Sequence, residues 1–121
     1  MSTTDPFALL RAAAAVQRLD YELTIHPGDR LRERTYLVHR AALADRTVPV
    51  PALADVENPE ASEQDAEGTA RRLLEHDRTH GTGHGPVPAA DPRWNTDARG
   101  YARQEHAAAV RDEHDQEHAC G

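Results

Sequence analysis

The sequence has few of the residues that build a large or covalently linked core. Among 121 residues it has one cysteine, one methionine, one tryptophan and one phenylalanine, and aromatic residues make up 4%. The lone Cys120 cannot form an internal disulfide, which excludes a scaffold held together by such bonds. Lysine is absent, since all 14 basic residues are arginine.

Long apolar runs are missing as well. The most apolar early stretch, from Phe7 to Val16, is short, contains Arg11 and follows the acidic Asp5. It therefore matches neither a signal peptide nor a membrane-spanning helix. We expect a cytoplasmic protein that does not enter the membrane.

The residues that can form a core are divided unevenly at about Arg46. Of 24 large apolar residues, 13 lie between Asp5 and Arg46, where seven arginines face six acids. The residues from Thr47 to Gly121 have 15 acids, seven arginines and only eight Leu, Ile, Val or Phe residues. Because so polar a segment buries little surface by itself, we expect it to pack on the N-terminal stretch or on a partner.

Capping signals followed by helical periodicity predict an all-α fold. Asp5-Pro6 predicts the start of a helix at residues 6–24, and Asp29 predicts the cap of a second at 30–45. With a short break between them, the two helices should form an antiparallel hairpin. The apolar face of the first helix comprises Leu9, Ala12, Ala13, Val16, Leu19 and Leu23.

The rest of the chain is predicted to add two helices to this hairpin, in one small helical bundle over residues 1–121. The hairpin at 5–46 is the expected core. Asn58-Pro59 and Asp91-Pro92 repeat the helix-start signal, and proline- and glycine-rich segments separate the helices. The predicted segments are a linker at 47–58, a helix at 59–78, a flexible connector at 79–91, and a helix with a partly mobile tail at 92–118.

Eight histidines are the one compositional excess that suggests chemistry. His76 and His80 are four residues apart, as are His114 and His118, so each pair shares one face of a predicted helix. Two imidazoles at this spacing can chelate a divalent transition metal. An exposed pair lacks further ligands and a second shell. We therefore predict no cofactor, and keep a His-dependent metal-binding protein as the alternative.

Signals for catalysis are weak. Cys120 lies on the predicted mobile tail, whereas a nucleophilic thiol needs a fixed base and a lowered pKa. The glycine-rich run that begins at His80 lacks the preceding strand and the lysine of a phosphate-binding loop. We expect a protein without catalytic residues.

Nucleic-acid binding is a further alternative. The stretch from Ala41 to Glu57 resembles the spacing of a helix-turn-helix, with Pro49 and Pro51 where its turn and recognition helix would be. A net charge of −7 opposes attraction to phosphate. The opposite alternative is that the acidic tail imitates DNA and occupies a basic protein surface. The arginines that raise the nucleic-acid-binding alternative are Arg30, Arg32, Arg34 and Arg40.

The pattern as a whole favours a non-catalytic interaction or accessory protein that acts through helix–helix contacts. A 42-residue hairpin is near the size at which one core fails without a metal, a disulfide or a partner. A protein partner or a second copy is therefore expected, since two hairpins make a four-helix bundle. The predicted partner-binding residues are Leu31, Arg34, Val38, Ala41 and Ala42.

Overall fold

Helices make up most of the chain in the computed structural model, which describes residues 6–50 and 59–119 and the side chains of 7–50 and 62–113. Over these residues the fold is a helical bundle without strands, as predicted. The helices are α1 (Pro6–Ile25), α2 (Arg30–Thr47), α3 (Pro59–His80), a 3₁₀ helix (Pro92–Thr96) and α4 (Ala98–Ala119).

The predicted starts of the first three helices are confirmed. Asp29 caps α2 by accepting a hydrogen bond from the backbone N–H of Arg32 at 3.1 Å. Gly28, at φ +84, supplies the left-handed turn that ends the α1–α2 connection. Pro6 and Pro59 begin α1 and α3. The predicted capping residues Asp5 and Asn58 lie outside the described residues.

The single helix predicted at 92–118 is wrong at its start. Asp91 does cap a helix by accepting from the N–H of Arg93 at 2.9 Å, but that helix is a short 3₁₀ turn. Asp97 then leaves helical geometry and caps α4, accepting from the N–H of Gly100 at 3.0 Å. Gly100 makes room for this cap, because a Cβ there would collide with the Asp97 carboxylate. A second capping carboxylate therefore divides the predicted helix.

The buried apolar residues are not confined to the predicted core hairpin. A cluster of buried apolar residues joins α2, α3, α4 and the segment between α3 and α4, and it includes Trp94 and Tyr101. From the N-terminal hairpin, Val38 and Ala41 of α2 belong to it, and Leu37 packs against it. The hairpin is thus not the core by itself. The other buried members are Ala70, Leu73, Leu74, Ala89, Ala98 and Ala102.

Helix α1 is peripheral, with α2 as its main neighbour. Its predicted apolar face is buried or half-buried, with Leu9 at 1% and Val16 at 8% exposure. A second group of large apolar residues on α1 is exposed. They are Phe7 at 70%, Leu10 at 54%, Tyr21 at 65% and Ile25 at 52%.

No described helix is both long and apolar enough to cross a membrane. Most of the predicted linker at 47–58 lies outside the described residues, as do the side chains of 114–119 and all of Cys120. The backbone of α4 continues to Ala119. The predicted mobility of the tail stays a prediction.

Candidate functional site

Three charged side chains from three helices meet inside the bundle. Arg34 of α2 donates to the Asp77 carboxylate of α3 twice, from Nε at 2.8 Å and from Nη2 at 2.9 Å. The same Nη2 donates to Oε1 of Glu105 on α4 at 2.6 Å. Arg34 is 9% exposed and both acids are 1% exposed. We call Arg34, Asp77 and Glu105 the buried ion cluster.

Two hydroxyl groups complete the coordination of Asp77. Thr82 donates to Oδ1 at 2.6 Å, and Tyr101 donates to Oδ2. Burial alone would raise the pKa of Asp77, but the hydrogen bonds from Arg34, Thr82 and Tyr101 outweigh burial and lower it. Burial and the adjacent carboxylate raise the pKa of the Tyr101 hydroxyl, which therefore keeps its proton and remains a donor.

Glu105 receives its other hydrogen bonds mainly from the segment that connects α3 to α4. The backbone N–H groups of His84 and Gly85 donate to its two oxygens at 2.7 and 2.9 Å, and Gln104 donates at 3.0 Å. Burial acts to raise the pKa of Glu105, yet these donors together with Arg34 outweigh it and lower the pKa. The carboxylate thus ties the connector to α4.

Further bonds hold the second half of the connector. Arg78 of α3 donates from Nε to the carbonyl of Ala89 at 2.7 Å, and the Trp94 indole donates to the carbonyl of Pro88 at 3.1 Å. Gln104 bonds the backbone of Val87 in both directions. The flexibility predicted for residues 79–91 stays a prediction, but the structure shows a segment anchored at several points.

Two pockets border the buried ion cluster. One, of about 330 Å³, lies beside Asp77 and the glycine- and proline-rich connector. The other, of about 240 Å³, is lined by Arg34, Val38 and Glu105 among others. The charged groups that the cluster contributes to both pockets are already bonded to one another.

The cluster is suited to holding three helices together rather than to proton transfer. A general base works best when its pKa is near the operating pH, whereas the donors around Asp77 and Glu105 lower both pKa values. A buried charge without partners is costly, and these two carboxylates are well supplied with donors. The geometry therefore supports a structural role for Arg34.

A second ionic contact joins α2 to α4. Asp45 accepts from Arg99 Nε at 2.7 Å and from Arg103 Nη2 at 2.8 Å. Burial alone would raise the pKa of Asp45, but the two guanidinium groups lower it. Together with the buried ion cluster, this contact gives α2 and α4 ionic connections at two positions along their lengths.

The structure brings one predicted histidine pair together. The rings of His76 and His80 on α3 have centroids 4.6 Å apart. The side chains of His114 and His118 lie outside the described residues. The described residues contain no group of three or more His, Cys, Asp or Glu side chains that could hold a metal ion.

Of the five predicted partner-binding residues, only Leu31 is exposed, at 77%. The other four are buried within the chain, and Arg34 is bonded to the acids of α3 and α4. The partner-binding role stays a prediction for all five. These four buried residues are Arg34, Val38, Ala41 and Ala42.

The arginines considered for nucleic-acid binding are partly engaged by the chain's own acids. Arg34 lies in the buried ion cluster, Arg40 bonds Asp65 of α3 at 2.8 Å, and Arg32 bonds Asp29 at 2.6 Å. The helix-turn-helix resemblance depends on residues 51–57, which lie outside the described part.

Sequence analysis missed Asp77, Glu105 and Asp45 as ionic partners. Asp77 and Glu105 lie at helical spacing on the apolar faces of α3 and α4, and Asp45 directly follows the apolar run from Ala41 to Ala44. The available signals were these positions on apolar faces and the charge balance, since an arginine-bearing helix precedes two acidic ones.

Comparison with protein-family models, with curated proteins and with solved structures finds no match for this chain.

Proposed function

We propose that the chain is a non-catalytic, cytoplasmic interaction module that acts through helix–helix contacts, and that α1 pairs with α1 of a second copy. The observation that carries this proposal is the exposed apolar stripe on α1, which we define as Leu10, Ala14, Tyr21 and Ile25. All four side chains are exposed.

The spacing of the stripe is that of a helix–helix contact. At 100° per residue its members lie within about 60° of one another, nearly opposite Leu9 and Val16. Leu10, Ala14 and Tyr21 are separated by four and seven residues, which matches the heptad repeat of paired helices. Helix α1 therefore has one apolar face for α2 and a second for another helix.

Charge favours a second copy as the partner on this face. Helix α1 has two arginines, Arg11 and Arg18, and two acids, Asp20 and Glu22, so its net charge is zero. Two copies of α1 can approach without repulsion. Helix α3, by contrast, has six acids and three arginines, and two such surfaces would repel. In a symmetric α1–α1 contact, the same surface patch of each copy forms the interface, as in closed dimers.

Light scattering after size exclusion tests the pairing. We expect a dimer that dissociates on dilution, and we expect Leu10→Glu or Tyr21→Glu to weaken association by about tenfold or more, because each puts a charge into an apolar contact. Gln64→Glu is the matched control, since it adds the same charge at an exposed position on α3. It should leave the dimer unchanged.

A wild-type chain that stays monomeric at about 100 µM would overturn the proposal. So would a dimer that tolerates glutamate at both Leu10 and Tyr21. Circular dichroism of each variant separates lost pairing from lost folding, because both substituted side chains are largely exposed.

A further inference from the structure

We propose that His76 and His80 form a binding site for a divalent transition metal ion of the class that imidazole prefers, with copper(II) bound most tightly. The two residues lie one helical turn apart near the end of α3. This site is separate from the pairing face of α1, and it does not depend on the proposed function.

The two rings are placed for joint coordination. Their centroids are 4.6 Å apart and their planes are tilted by 58°. An ion bound by imidazole nitrogens at about 2.0–2.1 Å needs the two nitrogens roughly 3 Å apart. Rings on adjacent turns of a helix reach that spacing by small rotations of their side chains.

A buried nitrogen without a hydrogen-bond partner is the independent observation. The His76 side chain is 8% exposed, and its Nε2 is buried without a partner. Buried polar atoms nearly always have a partner, so one that lacks it requires an explanation. A metal ion would accept the lone pair of Nε2 and satisfy this atom.

The other ring nitrogen of His76 lies near a carboxylate, as is common for metal ligands. Nδ1 lies 3.4 Å from Oδ1 of Asp77. A carboxylate on this side favours the proton on Nδ1 and leaves the lone pair on Nε2. Asp77 is itself fixed by Arg34, Thr82 and Tyr101, so the support of the first ligand is built into the core.

The exposed position of His80 gives an ion access to the site, and the two histidines leave its coordination sphere incomplete. Its side chain is exposed, so an ion can enter from solvent. Since the described residues contain no group of three or more ligating side chains, the remaining positions would be filled by water or by a ligand from outside. Nitrogen ligands of this kind bind copper(II) more tightly than nickel(II) or zinc(II).

Calorimetric titration of the full chain with copper(II), nickel(II) and zinc(II) tests the site. We expect one site of higher affinity than the rest, with copper(II) tightest and a rise in Tm on binding. His80→Ala should weaken this site by roughly tenfold or more, in line with losses at metal-supporting residues. Because His80 is exposed, this variant should fold normally.

The matched control is His114→Ala/His118→Ala, which removes the other pair at the same spacing. It should leave the tightest site unchanged, and copper(II) should broaden the ring signals of His76 and His80 in NMR spectra first. Unchanged affinity in His80→Ala would overturn the proposal. Loss of the tightest site in the control would overturn it too, as would copper(II) binding that leaves the His76 signals sharp.

Discussion

Arg34 and Glu105 stand 71 positions apart in the chain, and their Nη2 and Oε1 atoms lie 2.6 Å apart inside the bundle. Their side chains are 11% and 1% exposed. Arg34 also donates to Asp77, so one guanidinium joins α2, α3 and α4. Removing it leaves two buried carboxylates with only neutral donors.

Replacing Arg34 should therefore be among the most damaging single changes. We expect Arg34→Ala to lower the free energy of unfolding by about 3–5 kcal/mol, because it leaves buried charges unpaired. Urea unfolding followed by circular dichroism measures the loss.

Arg40→Ala is the control for Arg34, since it removes an arginine of the same helix whose partner Asp65 is largely exposed. The cost there should be about 0–1 kcal/mol. Equal losses in the two variants would show that burial of the ion cluster does not matter for stability.

Acid should destabilise the bundle through its paired carboxylates. The pKa of Glu105 and the pKa of Asp45 are lowered from ordinary values of 4.5 and 3.8. Their stabilising effect is complete above those ordinary values and is lost as pH falls through the lowered folded-state pKa, because the unfolded chain then binds more protons.

A series of urea unfolding curves from neutral pH to about 3 measures this loss. Asp45→Asn should make the pH dependence shallower, since it removes one of the titrating groups. An unchanged slope in this variant would contradict the lowered pKa of Asp45.

His106 should add a separate loss of stability at higher pH than the carboxylates. Burial lowers the pKa of His106 from its ordinary 6.5, and the nearby His39 and Arg46 lower it further. As pH falls below about 6.5, the unfolded chain takes up this proton more readily than the folded chain, so stability declines until the folded-state pKa is passed. NMR titration of the ring gives the pKa directly. His106→Gln should remove this part of the decline.

Two glycines in helices should respond oppositely to alanine. Nothing lies within 4 Å of a Cβ at Gly68, so Gly68→Ala should stabilise α3 by about 0.5–1 kcal/mol. At Gly100 the new methyl group would displace the Asp97 carboxylate that caps α4. Gly100→Ala should therefore destabilise the protein, with loss of a cap costing about 0.5–2 kcal/mol. Thermal unfolding compares the two, and a gain in Tm at Gly100 would contradict the cap.

Helix positions were largely predictable because their signals are local. Asp29, Pro6 and Pro59 act within a few residues of themselves, and α1, α2 and α3 begin where these residues predict and end within two residues of the predicted ends. The break at Asp97 was missed because two capping carboxylates lie six residues apart, and either could begin the last helix.

The buried ion cluster was not predictable, since it depends on partners far away in the chain. Asp77 is bonded to Arg34 across 43 residues. Its spacing from Ala70 and Leu73 places it on the buried face of α3, but this local spacing does not identify a partner on another helix. The face of α1 was only half predicted for a related reason. Leu9 and Val16 form a regular stripe toward α2. Leu10 and Tyr21 form a second stripe, which is hard to recognise in the sequence beside the first.

The partners of Arg34 lie far along the chain, and this affects when the bundle can form during synthesis. While the chain is being synthesised from its N-terminus, α1 and α2 emerge before either acid of the buried ion cluster exists. The guanidinium of Arg34 must then stay hydrated on the nascent hairpin, and α2 can complete the burial of its inner face only after α3 and α4 have been translated. Closure of the bundle is therefore a late event of biosynthesis, and until then the nascent chain exposes apolar surface to which chaperones can bind.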